Sequence, residues 1–168
     1  MRWWFLWALP LVGLLEGCLE GKTRALDGGA PGMDNGMEVQ IGIPDPEIGA
    51  GFLPLERDGD IVLDTFGQGG SHAELALACR GFGTSVFPQF AVENLADGST
   101  IMTACFSAPQ PLLCDDEELC IDSPNFVMLG GLADPDELDG LHVRVTARVE
   151  SASGEQGEAS QTGYLRRE

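Results

Sequence analysis

The sequence predicts an all-β fold, an antiparallel two-sheet sandwich of immunoglobulin-like type with seven or eight strands. Three observations predict it. In "LHVRVTARVE", Leu141, Val143, Val145, Ala147 and Val149 alternate with His142, Arg144, Thr146, Arg148 and Glu150, the period of a half-buried strand. Other short runs of strand composition are separated by clusters of Gly, Pro, Asp and Asn. No segment carries a helical repeat.

The chain begins with Met1 and Arg2, followed by the apolar run Trp3 to Leu15 and then Gly17-Cys18. That run is too short to span a bilayer but suits the h-region of a secretory signal, residues 1–17. "LLEGC" resembles a bacterial lipobox, with Leu15 three residues before Cys18 and the small Gly17 just before it; Glu16 departs from the pattern. The resemblance implies that Cys18 is lipidated and that the mature chain is tied to a membrane. The alternative is an ordinary signal peptide that leaves Cys18 as a plain thiol. Leu19 is not the Asp-type inner-membrane retention signal, so the expected location is the outer membrane or cell surface.

Residues 18–37 are the lipidated cysteine and a glycine-rich flexible tether, and residues 38–168 form one domain. Its strands are expected at 39–43, 61–64, 72–80, 86–93, 100–107, 126–129, 141–150 and 159–166. In "HAELALACR" the inward residues are Ala73, Leu75, Leu77 and Cys79, with His72, Glu74 and Arg80 on an exposed face. His142 is also placed on an exposed face.

Phe52, Leu55, Gly59 and Asp60, then "QGG" at Gln68 to Gly70, His72 and a long alternating strand, resemble a set of uncharacterised lipoproteins and secreted proteins of myxobacteria and their relatives. The likeness extends over about Phe52 to Arg80, and more loosely to the "LDGLHVRV" strand. It implies a β-sandwich at the cell surface and carries over no activity or catalytic residue.

Charge narrows the functions. The chain holds 9 Lys and Arg against 27 Asp and Glu, for a net charge of −18. Losing residues 1–17 removes Arg2 and Glu16, which cancel, and all three tryptophans. Neither the basic footprint of a nucleic-acid binder nor a tryptophan platform for bases remains. No Lys or Arg lies between Arg80 and Arg144, while "CDDEELCID" and "ADPDELDG" crowd acids into one stretch. That predicts a strongly negative side, which is either a solvated face or a place for divalent cations such as Ca²⁺. Neither stretch fits an EF-hand loop.

With Cys18 used by lipid, Cys79, Cys105, Cys114 and Cys120 are an even set in an oxidising compartment, expected to form disulfides. Cys114 and Cys120 can close a short loop, and Cys79 with Cys105 makes the plausible second bridge. Their spacings contain no CxxC, which disfavours a zinc knot.

"GQGGSH", residues 67–72, could be an anion cradle, part of a catalytic centre or a turn. A cradle needs a helix after its glycines, whereas a period-two strand follows. Gly67, Gln68, Gly69, Gly70 and His72 are therefore read as a structural turn, with His72 pinning it by a local hydrogen bond. His72 and Glu74 have the H-x-E spacing of zinc deaminases, without the P-C-x-x-C partner. No nucleophile elbow, HExxH or P-loop is present. The expected function is a lipid-anchored envelope protein with a non-enzymatic binding, adhesion or structural role, an unidentified envelope or extracellular partner, and no cofactor. A Ca²⁺-dependent binding module and a small secreted hydrolase are the alternatives.

Overall fold

The computed structural model describes residues 37–47, 51–65, 71–116, 119–129 and 135–167. The fold is all-β, a mixed sheet of eleven strands. They are β1 Glu38–Asp45, β2 Gly51–Pro54, β3 Gly59–Thr65, β4 Ser71–Arg80, β5 Ser85–Asn94, β6 Thr100–Cys105, β7 Gln110–Pro111, β8 Leu113–Cys114, β9 Cys120–Leu129, β10 His142–Ser151 and β11 Gln156–Arg167. Among the described residues one four-residue helix, α1, covers Pro135–Leu138, where "PDEL" offers proline at a first helical turn with two acids behind it.

Each long expected strand is present, and "GQGG" is followed by a strand, β4, rather than by a helix. Three short strands, β2, β7 and β8, exceed the expected seven or eight. The antiparallel expectation also needs correction, because β3 and β11 run parallel, from Gly59 opposite Gly163 to Leu63 opposite Arg167. Gly163 makes that approach possible: a Cβ there would lie 2.8 Å from the carbonyl oxygen of Gly59 and 2.8 Å from Ile61.

Strand β4 organises one end of the path. Its Ser71 to Cys79 edge is taken by β9, ending with Cys79 opposite Cys120. The other edge is shared: β3 pairs with Ser71 to Ala73, and β1 pairs with Ala76 to Arg80. From β3 the path continues through β11, β10 and β5 to β6. The alternation in "LHVRVTARVE" has its cause here, since β10 lies between β11 and β5 and turns one face to the core. Val143, Val145, Ala147 and Val149 are buried, and so are Ala73, Leu75, Leu77 and Cys79 of β4. Phe90, Ile61, Leu63 and Leu165 join them in one hydrophobic cluster. Burying a side chain of that size contributes about 1.5–3 kcal/mol before its entropy cost.

Candidate functional site

The β3–β4 ladder sets Asp64 opposite His72, and Glu74 lies two residues further along β4 on the same face. His72 Nε2 stands 4.0 Å from Asp64 Oδ2 and 3.8 Å from Glu74 Oε1. One ligand atom from each of the three residues lies within 4.8 Å of the others. The expected exposure of His72 is overturned. Its side chain is 2 % exposed, against 60 % for Asp64 and 40 % for Glu74. The reason is that β4 is buried on both faces: Ala76 and Ala78, on the His72 side, are as enclosed as the inward residues. Chemically the group offers one imidazole nitrogen and two carboxylates, which can hold either a proton or a divalent cation between them.

Gly67, Gln68, Gly69 and Gly70 lie outside the described residues, as does Cys18. Ser71, the first residue of β4, is buried with its hydroxyl facing no hydrogen-bond partner among the described residues.

The cysteines divide differently from expectation. Cys114 and Cys120 form the expected disulfide, in register across β8 and β9. Cys79, however, is a free, buried thiol, so the Cys79–Cys105 bridge is excluded. The error has a topological cause, because the neighbours of β4 are β1, β3 and β9 rather than the strands that follow it. Burial pushes the Cys79 thiol up to about 12, and the charge of Asp122 adds to the effect. Asp122 itself is buried on β9, and desolvation raises its carboxyl above the usual range although a hydrogen bond from Asn125 pulls the other way.

A second polar group, missed from the sequence, occupies the outer face where β3, β10 and β11 meet. His142 Nε2 donates to Asp58 Oδ1 at 2.8 Å, and Thr162 Oγ1 donates to the same oxygen at 2.7 Å. The imidazole of His142 stacks on Tyr164, their centroids 4.5 Å apart, and the Arg166 guanidinium lies over the Tyr164 ring, 5.3 Å from its centre. The hydrogen bonds from Thr162 and His142 hold the Asp58 carboxyl below its usual range. Asp58 has φ of 59°, and the "DG" at 58–59 was the one sequence signal of a tight turn there. His142 is half-exposed, on the outer face as expected.

Of the acidic stretches, Asp115 and Asp116 are exposed. Arg167 pairs with Asp136, and its backbone N–H donates to Asp139 Oδ1 at 3.0 Å, so the carboxyl-terminal strand neutralises part of the second stretch. Among the described residues, these acids form no group of three around a common point. The chain matches no family model, no curated protein and no solved structure in comparisons with known proteins.

Proposed function

We propose that the chain is an exported lipoprotein, held at the outer membrane or cell surface through Cys18, whose β domain works as a non-enzymatic binding, adhesion or structural module. The observation that carries the anchor is "LLEGC" at the end of a short apolar leader. The glycine-rich residues 19–37 then suit a tether, and the −18 net charge suits a domain held in solvent.

The finer fold reading is a two-layer sandwich of immunoglobulin-like order. In support, β4 and β10 share no ladder yet contribute to one core cluster, as two layers facing each other would. The passage of β3 from antiparallel pairing with β4 to parallel pairing with β11 links the layers at one edge. The non-enzymatic reading rests on the outer-face network, where Thr162 donates to Asp58 and not to His142. Its hydroxyl thus lacks the imidazole base that would make it a nucleophile.

Detergent phase partition tests the anchor. Wild-type protein from a lipoprotein-processing bacterium should enter the detergent phase, and Cys18→Ser should move to the aqueous phase, since acyl chains supply the hold on the membrane. Wild type found in the aqueous phase overturns the reading. Mass mapping of the Cys18 peptide gives a second, independent decision, since a thioether carrying acyl chains supports the anchor and a plain Cys18 thiol overturns it.

A further inference from the structure

We propose that Asp64, His72 and Glu74 form a binding site for a borderline divalent transition metal, with Zn²⁺ as the fitting occupant. The proposal departs from the sequence expectation for His72 and does not depend on how Cys18 is processed.

Strand geometry supplies the convergence. Residues i and i+2 of a strand project from one face, so His72 and Glu74 stand side by side, and the residue directly across the ladder projects from that same face. Asp64 is that residue. Three donors thus come from two hydrogen-bonded strands of the sheet, with no loop needed to bring them together.

The second observation is the state of the histidine. Its ring is almost wholly enclosed, at 2 % exposure, with Nε2 turned toward two carboxylates that are themselves half-open to solvent. A buried imidazole with its Nε2 beneath two more exposed carboxylates is a nitrogen donor with an accessible entry side. The nitrogen decides the metal class: Ca²⁺ and Mg²⁺ take oxygen ligands, whereas imidazole with carboxylates suits Zn²⁺ and its neighbours.

Distance is compatible. Tetrahedral ligands about 2.0–2.1 Å from zinc stand roughly 3.3 Å from one another. The separations of 4.0 and 3.8 Å from Nε2 therefore need to close by about 0.5–0.7 Å, and the two carboxylates, within 4.8 Å of each other, by at most about 1.5 Å. Rotation of the two exposed carboxylates covers that without moving the sheet. Three protein ligands leave a fourth position for water or for a donor from a partner.

The test uses the full mature protein in detergent, stripped with a chelator and titrated with Co²⁺ and then Zn²⁺. One equivalent of Co²⁺ should give visible d–d absorption without a thiolate charge-transfer band, and Zn²⁺ should displace it. Asp64→Asn and Glu74→Gln, both at exposed side chains that retain their shape, should each weaken Zn²⁺ binding about tenfold or more, since even outer-shell changes cost 10–100-fold. Both should fold, as judged by metal-free melts matching wild type; His72→Gln should abolish the Co²⁺ spectrum. Absence of a Co²⁺ spectrum and of any Zn²⁺-induced melting shift in wild type overturns the proposal. So does a Zn²⁺ response that survives Asp64→Asn and Glu74→Gln unchanged, or a Ca²⁺ response lost in the same two variants.

Discussion

Cys79 faces Cys120 across the β4–β9 ladder, while the disulfide of Cys120 runs the other way, to Cys114 on β8. A central sulfur thus lies between two in-register partners and is bonded to one of them. The Cys79 thiol, held up near 12 by burial and by Asp122, is almost never the thiolate that exchange requires. The native pairing is therefore kinetically protected. Cys79 should resist thiol reagents in native protein at neutral pH and react once the chain is unfolded. Reaction in the native state at the rate of an exposed thiol would contradict that burial.

The same shift sets a pH dependence. The folded thiol holds its proton more tightly than the ordinary value of 9.0, so its contribution to stability is complete below pH 9. It is lost as pH rises from there toward 12, at up to about 1.4 kcal/mol per pH unit. Denaturant melts across the alkaline range should show this slope in wild type and a shallower one in Cys79→Ala. Equal slopes would mean that another group controls the alkaline limb.

Asp122 acts in the opposite pH range. Its folded carboxyl is raised, so the stability linked to it is present below pH 3.8 and is lost as pH rises through the folded value. At neutral pH the buried carboxylate is a cost, and its Oδ2 lacks a hydrogen-bond partner among the described residues. Asp122→Asn should be at least as stable as wild type at pH 7, and that advantage should shrink in acid. A variant clearly less stable at pH 7 would show that the charge makes a favourable interaction.

What the sequence made legible follows from how each feature is encoded. The inward stripes of β4 and β10 are written in each strand's own period, and they were placed residue by residue. The parallel pairing of β3 with β11 is written in neither strand, because register between distant segments leaves no local pattern. Strands as short as β7 and β8 hold too few residues to show a period. His72 was misplaced because alternation was taken to mean one wet face, whereas small residues at Ala76 and Ala78 allow close covering of that side. The Asp64–His72 meeting needed the ladder itself.

Asp58 tests the outer-face network. It accepts from His142 and Thr162 while holding a positive φ that a β-branched residue tolerates poorly. Asp58→Val should therefore lower the melting temperature more than Asp58→Gly, which relieves the backbone and loses only the hydrogen bonds. The lowered carboxyl means that its contribution is present above pH 3.8 and fades as pH falls through the folded value. Both variants should accordingly be less acid-sensitive than wild type. Equal melting of Val and Gly variants would remove the backbone argument.

The parallel pair can be probed at Gly163, where any Cβ meets the Gly59 carbonyl oxygen and Ile61 at 2.8 Å. The Gly59 contact is backbone, so it can be relieved only by moving β3 away from β11. Ile61 is fully buried and has little room to yield. Gly163→Ala should then cost about 1–3 kcal/mol through overpacking. Leu75→Ala, which empties a fully buried site on β4, should cost about 2–5 kcal/mol. Leu113→Ala serves as the contrast: that side chain is 66 % exposed, and its loss should fall within about 0.5 kcal/mol. Denaturant melts of the three variants give the order directly. A neutral Gly163→Ala would mean that β3 and β11 are not held at this distance, and the link between the β4 and β10 ends of the sheet would have to be redrawn.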